Sequence, residues 1–324
     1  MTEALEGSLD TLLVGSVPLE NEEQVFRAAA QKLGTGIKRL PDGETGPRFA
    51  WVGWQQRVFE QTPQLERVAS APIDEQLAED YEAQSGSEGG PPNFKLRDGV
   101  APEDIEFASL GYADAAIASY ATFKRLRDEG VIEAGTRFQV AVPTPIATVS
   151  AFIAPEEIIR IEPVYEAALM AELQRIADAI PHEDLAIQWD ICVEVWLIEG
   201  WHPSAIEPLN EGLVERIVRV SEAVPADVEL GYHMCYGDLG GRHLKEPDDT
   251  HALVELMNPV FDKLSRPLAW WHFPVPIARD DEAYFAPLKD LRLPAGTEVY
   301  AGVVHVADGV EGARRRLAAA RSAL

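Results

Sequence analysis

Residues 228–237 read VELGYHMCYG, an apolar run that ends in a histidine, a cysteine and a glycine. Its first residues are typical of a buried strand. His233 and Cys235 are two residues apart, so their side chains share one face of that strand. An imidazole and a thiol on one face can bind one zinc ion between them. The alternative interpretation is a neutral core histidine beside an inert buried cysteine.

Predicted strands alternate with predicted helices on both sides of this stretch. Besides the strand of His233, strands are expected at 9–16, 37–40, 105–110, 137–142, 185–193, 268–273 and 298–305. Helices are expected at 20–33, 49–67, 111–129, 155–180, 208–223, 250–264 and 309–323. The alternation indicates parallel strands that are joined by helical crossovers.

We therefore expect a single domain, residues 1–324, with the fold of a TIM-type (β/α)8 barrel. Several strands are apolar throughout, as strands are when both faces of a sheet are covered. The alternative is an open, doubly wound parallel sheet. Residues 82–104 include the run SGSEGGPP and are expected to form a flexible insertion.

Composition excludes some classes of partner. The formal net charge is −26, which argues against nucleic acid or an anionic membrane, because phosphate groups are bound by basic patches. The two cysteines, Cys192 and Cys235, are too few for a disulfide framework and favour a reducing compartment. The first ten residues lack the basic and apolar regions of a signal peptide, and no apolar run has the length of a membrane span. A cytoplasmic location is therefore expected.

Polar residues recur at the C-terminal ends of the predicted strands. They are Ser16, Glu44, Thr144, Asp190, His233, Cys235, His272 and His305. In a barrel these ends face one mouth, where active sites are built, so a shared functional site is predicted there. The alternatives are that Asp190 is a hydrogen-bonded core acid, Glu44 a solvated loop acid, and His272 or His305 a packed ring. Arg48 is interpreted as a partner of Glu44 or Asp42, or as a ligand for an anionic substrate.

Five segments of the chain resemble segments of cobalamin-independent methionine synthase, and they occur in the same order as in that family. They are Val14-Gly15-Ser16-Val17-Pro18, Asp42-Gly43-Glu44 with Arg48, Pro143-Thr144, Gln188-Trp189-Asp190 and Tyr232-His233-Met234-Cys235-Tyr236. The match to the family's His-Met-Cys-Tyr zinc strand is the most specific one. The resemblance implies the family's zinc-containing catalytic barrel, whose superfamily also includes uroporphyrinogen decarboxylase.

The resemblance also implies roles for residues. Gly15, Ser16, Glu44, Arg48, Thr144 and Asp190 would bind the substrate, with Asp190 on its amine, and His233 and Cys235 would bind Zn²⁺. The family's two remaining zinc ligands, a glutamate and a cysteine, are missing from the matching positions. From strand-end position alone we expect His272 and His305 to complete the metal site. Asp190, Glu44 and His305 are the expected catalytic residues.

Three functions remain open from the sequence. The first is zinc-dependent methyl or alkyl transfer to a thiol or amino-acid-like substrate, with the methyl donor, a folate or a corrinoid protein, unresolved. The second is a zinc-dependent lyase or hydrolase of a small polar substrate, with Glu44 or Asp190 as general base. The third is a metal-free barrel that binds a ligand without turnover. A homodimer that covers an unpaired sheet edge is also expected.

Overall fold

The chain forms a parallel sheet with helices packed around it. The computed structural model describes residues 10–69, 75–85, 90–202 and 204–323, and this part contains eight strands and eleven α-helices. In chain order they are α1 (Glu22–Leu33), β1 (Arg39–Pro41), α2 (Gln56–Glu60), β2 (Leu65–Val68), α3 (Glu75–Ser85), β3 (Asn93–Leu96), α4 (Tyr112–Asp128), β4 (Arg137–Pro143), α5 (Pro145–Phe152), α6 (Ile158–Ala179), β5 (Leu185–Ile191), α7 (Val193–Ile198), α8 (Leu209–Glu222), β6 (Glu229–Met234), α9 (His251–Lys263), β7 (Trp270–Pro274), α10 (Glu282–Phe285), β8 (Glu298–Gly302) and α11 (Gly309–Ala323).

Six of the strands form one all-parallel sheet in the order β1-β4-β5-β6-β7-β8. The sheet curls into a half-barrel. At the base of this half-barrel the two edge strands are bridged by side chains, since Glu298 of β8 accepts hydrogen bonds from Lys38 Nζ at 2.6 Å and from Arg39 Nη1 at 2.8 Å. The α/β class and the parallel strands are confirmed, but the described residues do not show a complete eight-stranded barrel.

Two predicted strands are missing from the sheet, and each has a physical reason. The segment predicted at 9–16, of which residue 9 lies outside the described residues, makes only an isolated parallel bridge between Thr11 and Ile37. Its later carbonyls are bound by side chains instead, because Gln139 donates to Leu13 and Gln188 donates to Val14. The segment therefore lies inside the half-barrel, across the glutamines.

The segment predicted as a strand at 105–110 is irregular. Its end is bound by a helix, since Glu172 of α6 accepts hydrogen bonds from the Leu110 N–H at 3.3 Å and the Ser109 hydroxyl at 3.2 Å. A carboxylate thus takes the place of a neighbouring strand. As a result β1 pairs directly with β4.

The region between β1 and α4 also differs from expectation. In place of one helix at 49–67, the chain forms a run of 3₁₀ turns over Gly46–Gln55, then the short α2, then β2. Strand β2 pairs antiparallel with β3, which falls inside the insertion predicted at 82–104. Residues 86–89 of that insertion lie outside the described residues. The other predicted helices are confirmed within a few residues as α1, α4, α6, α8, α9 and α11.

Both faces of the sheet are covered, as its apolar strands predict. Strand β5 shows this clearly, because all seven of its residues are buried. Its Leu185, Ile187 and Trp189 belong to the core cluster, while the alternating Gln188 and Asp190 point into the half-barrel. The inward face therefore carries polar groups and the outward face carries the packing. In the described part of the chain, no helix is long and apolar enough to cross a membrane.

Candidate functional site

The candidate site lies at the C-terminal ends of β5, β6 and β7. Asp190, His233 and His272 are successive register partners on these three neighbouring strands, so their Cα atoms lie side by side at one level. Residues that share a level in a parallel sheet also share a face. The register thus places these three residues, which the sequence analysis expected at one mouth, at the same level of neighbouring strands.

The loop that follows β1 brings a second set of groups to the same mouth. Glu44 and Trp51 in this loop both have a φ of 47°, and they are the two non-glycine residues of the described chain with positive φ. This conformation costs a bulky side chain on the order of 1–3 kcal/mol, so surrounding contacts must hold it. Both side chains are aimed at partners in the mouth.

Glu44 Oε2 accepts a hydrogen bond of 2.6 Å from the hydroxyl of Ser16. The approach is close enough that a Cβ atom at Gly15 would lie 2.9 Å from the same oxygen. Glycine at position 15 is therefore needed to bring the N-terminal segment against the carboxyl group. Gly15, Ser16 and Glu44, three residues of the predicted substrate site, are thus brought together.

Asp190 is 5% exposed and accepts hydrogen bonds from two neutral donors. Gln188 Nε2 lies 2.8 Å from Oδ1, and the indole Nε1 of Trp51 lies 3.3 Å from Oδ2. The expected hydrogen-bonded acid is thus present, with neutral donors as its direct partners. The tryptophan donor was not foreseen, because a tryptophan in a turn-rich segment carries no pattern that distinguishes a donor from a packing residue.

The two carboxyl groups have raised pKa values. Burial, and then the negative charge of Asp190, raises the pKa of Glu44 to about 8, although the Ser16 hydroxyl opposes this. Burial raises the pKa of Asp190 to about 7, against the effect of its two hydrogen-bond donors. Near neutral pH at least one of the two acids is therefore largely protonated. A general acid–base pair requires one protonated and one ionised group.

His233 and His272 form a contact pair beside Asp190. Their Nδ1 atoms lie 2.8 Å apart, so one ring donates and the other accepts. Burial and then the charge of His272 lower the pKa of His233 well below its usual value, and burial lowers the pKa of His272 to about 4. Both rings are therefore neutral at physiological pH. A Cβ atom at Gly302 would lie 2.9 Å from His272 Nε2, so the glycine leaves room for this ring.

In the described residues the four predicted zinc ligands are not brought together as one group. Zinc sites in proteins use at least three protein ligands. Within the described ranges, no group of three or more histidine, cysteine, aspartate and glutamate side chains is placed to hold a metal ion. Only His233 and His272 among the four predicted ligands contact each other. The Nδ1 atoms of this pair are occupied by their mutual hydrogen bond.

The other two predicted ligands are engaged by main-chain groups. His305 lies in the loop after β8, where its Nε2 is 2.8 Å from the carbonyl oxygen of Val275. Cys235 Sγ accepts a hydrogen bond from the N–H of Gly237 at 3.1 Å. The prediction for His305 relied on strand-end position, and that for Cys235 on its spacing from His233 and on the family resemblance. Neither fixes the direction in which a side chain turns after the strand has ended.

Arg48 resolves one of the alternatives that the sequence left open. Its guanidinium binds Asp42 rather than Glu44, with Nη2 2.6 Å from Oδ2 and Nη1 3.3 Å from Oδ1. The hydroxyl of Ser119 also donates to Asp42. Asp42 and Arg48, with Tyr112 and Gln139, line a small pocket that Glu44 also lines. The cation is therefore near the mouth but already paired.

Thr144 lies directly after β4, at the N-terminus of α5, and it is 2% exposed. It lies against Glu194 at the start of α7, an acid that sequence analysis did not single out. Burial raises the pKa of Glu194 to about 7, and the Thr144 hydroxyl opposes the rise. The one available signal was an acid inside the apolar run CVEVWL. Such a run is equally consistent with a helix whose acid faces water.

Comparisons with known proteins add no family to this description. No family model matches the chain, and no curated protein or solved structure matches it. The geometry defines an α/β half-barrel with an acid pair and a histidine pair at its mouth. The resemblance to cobalamin-independent methionine synthase stays a prediction.

Proposed function

We propose that the protein is an enzyme that acts on a small amino-acid-like substrate by acid–base chemistry at the half-barrel mouth. Asp190 and Glu44 would bind the substrate ammonium group, and one of them would serve as general base. The observation that carries the proposal is the placement of two carboxyl groups with raised pKa values against neutral donors, with Asp190 on β5 and Glu44 on a loop held in a strained conformation. Buried acids without a cationic partner are costly, so a site that keeps them is a candidate for function.

The histidine pair supports the same proposal. Neutral imidazoles can accept a proton and pass one along a hydrogen bond. His233 lies at the level of Asp190 on the next strand, and its Nδ1 contacts His272. The pair would therefore relay or store the proton that the general base removes. Binding of the substrate ammonium group would release the proton that Asp190 and Glu44 carry. Ser16, which is bound to Glu44, would then contact the carboxylate end of the substrate.

Calorimetric titration tests the proposal, with the standard amino acids and L-homocysteine as probes. Binding of an ammonium group requires ionised acids, so affinity is expected to rise between pH 6 and pH 8. Asp190→Asn should weaken binding roughly 10- to 100-fold, since hydrogen bonds to charged groups contribute about 1.5–3 kcal/mol. Glu103→Gln, at an exposed carboxylate, is the matched control.

Two outcomes would count against the enzyme. If none of these probes binds, or if Asp190→Asn binds them as the wild type does, the acid pair is not the ammonium site. If a probe binds but NMR shows no conversion over many hours, the chain is a ligand-binding protein, as the third interpretation of the sequence has it. Conversion that is lost in Asp190→Asn and kept in Glu103→Gln would support the proposal.

Zinc-dependent alkyl transfer to a thiol is the second candidate. The observation in its favour is that two neutral imidazoles, the form that binds metals, adjoin at the end of the strand that resembles the family's zinc strand. It would require a third ligand to turn toward them. Elemental analysis of the wild type, His233→Ala and His272→Ala distinguishes the candidates. About one zinc per chain, lost in both variants, would favour alkyl transfer, and turnover without zinc would favour the acid–base enzyme.

A further inference from the structure

The two cysteines of the chain lie at the ends of neighbouring parallel strands. The register pairs Asp190 with His233 and Ile191 with Met234. The next pair of residues along the two strands is therefore Cys192 and Cys235. The Cys235 N–H donates to the Ile191 carbonyl at 3.1 Å, which continues the pairing past the end of β6. Adjacent strands are about 4.7–4.9 Å apart, within the range of Cα separations that a disulfide spans.

The two thiols also contact each other. Burial first, and then a hydrogen bond with the Cys235 thiol, raises the pKa of Cys192 well above its usual value. Cys192 is 2% exposed, whereas Cys235 is partly exposed. Cys235 is therefore the more accessible of the two cysteines and is the one that a small oxidant reaches first. This is the arrangement of a reactive cysteine with a resolving partner.

We propose that Cys192 and Cys235 form a reversible intramolecular disulfide when the protein meets a hydroperoxide. The sulfur of Cys235 attacks the peroxide, whose O–O bond breaks, so that a sulfenic acid forms and the other oxygen leaves as water or an alcohol. The sulfur of Cys192 then attacks that of Cys235, the S–O bond breaks, and the hydroxide leaves as water with the Cys192 proton. Two thiols lose two electrons, and the peroxide gains them.

The bond would join the chain just beyond two residues of the mouth. Asp190 is two residues before Cys192, and His233 is two residues before Cys235. A covalent link at this point would fix the spacing of the two strand ends that carry them. The inference is independent of the substrate, because it needs only the two cysteines and their register.

The experiment is oxidation of the purified full chain by hydrogen peroxide, followed by thiol titration and intact mass under denaturing conditions. We expect the loss of both thiols, a monomer mass lower by about 2 Da, and recovery of both with dithiothreitol. Cys192→Ser, which keeps the size of the side chain, should instead gain about 16 or 32 Da on Cys235 and form no internal bond. Because the chain has two cysteines, the loss of two thiols on titration assigns the bond to this pair, whereas oxidation of the four methionines adds mass without consuming a thiol.

Three results would overturn the proposal. The first is a wild type that keeps both thiols under conditions that oxidise free cysteine. The second is a wild type in which Cys235 gains oxygen and no internal disulfide forms, the result expected of Cys192→Ser. The third is a disulfide found between two chains rather than within one, seen as a dimer on a non-reducing gel.

Discussion

Both ends of the half-barrel carry acidic side chains, but the partners of those acids differ. At the base, Arg39 is 5% exposed and binds both Glu229, at 2.5 Å, and Glu298, at 2.8 Å. Lys38 binds Glu298 as well, and Arg137 binds Glu229. Every acid of this network has a cation. Although burial acts to raise it, hydrogen bonds from Lys38 and Arg39 hold the pKa of Glu298 at about 2.

At the mouth the acids have neutral donors instead. Asp190 is bound by an amide and an indole, and Glu44 by a hydroxyl, while Arg48 is bound to Asp42. Their pKa values rise rather than fall, and the strained loop is found at this end. The comparison indicates a base that stabilises the fold and a mouth that gives up stability, which is the pattern that the proposed function requires.

The largest effect is expected from breaking the base. Arg39→Met would leave Glu229 and Glu298 without their shared partner and remove a guanidinium that lies 4.5 Å from the Trp270 ring centroid. Removing one member of a buried ion pair costs about 3–5 kcal/mol. Urea denaturation at pH 7 should show a loss of this size. Arg125→Met, at an exposed pair with Glu23, is the control, and it should change stability little or not at all.

A loss of less than about 1 kcal/mol in Arg39→Met would break the comparison, because the base network would then be no more stabilising than a surface ion pair. Binding at the mouth provides a second check. The variant should keep its affinity for any amino acid that the wild type binds, measured under conditions in which it is folded.

The next effect concerns Glu194, the buried acid at the start of α7. Its pKa of about 7 in the folded chain lies above the value of about 4.3 of an unfolded glutamate. The folded state therefore holds a proton that the unfolded state has released, and stability falls as pH rises from about 4 to 7. Glu194→Gln should remove this fall and stabilise the protein by about 1–3 kcal/mol at pH 8.

Denaturant midpoints of the wild type and Glu194→Gln, measured from pH 5 to pH 9, check this expectation. The two proteins should be nearly equal in stability at pH 5 and should diverge as pH rises. Glu103→Gln, on the surface, should follow the wild type at every pH. A glutamine variant that is less stable than the wild type at pH 8 would mean that the Glu194 carboxylate has a favourable partner when it is ionised.

Much of the fold was predictable because it depends on local pattern. The apolar strand around Trp189 and the strand of His233 carry hydrophobicity that water would penalise, and the helices between them have helical spacing. The described residues show a half-barrel rather than the complete barrel that was expected, because strand number depends on long-range partners. Nothing near Leu110 reveals that Glu172, more than sixty residues away, binds its N–H.

The site divides in the same way. Asp190, His233 and His272 were predictable because strand ends of a parallel sheet converge, whatever the details of packing. The direction of a side chain beyond the strand is set by tertiary contacts, which the sequence does not reveal. His305 and Cys235 were expected at a metal site, but in the described residues each is hydrogen-bonded to a main-chain group and no set of three ligands is gathered. The strain at Trp51 was not predictable, because a left-handed tryptophan contradicts its own preference and is held only by the finished structure.

The smallest expected effect, at Glu44, sharpens the comparison most. Its pKa of about 8 again means that stability falls with pH above about 4, and Glu44→Gln should flatten that fall. Because the side chain is partly exposed, and because glutamine still accepts from Ser16, the gain at pH 8 should be only about 1 kcal/mol. Denaturant titration at pH 5 and pH 8 measures this gain.

The charge of Asp190 helps to raise the pKa of Glu44. Asp190→Asn combined with Glu44→Gln should therefore gain less stability than the sum of the two single variants. Additive effects would show that the two carboxyls do not share a proton, and the mouth would then hold two independent acids rather than one acid–base pair.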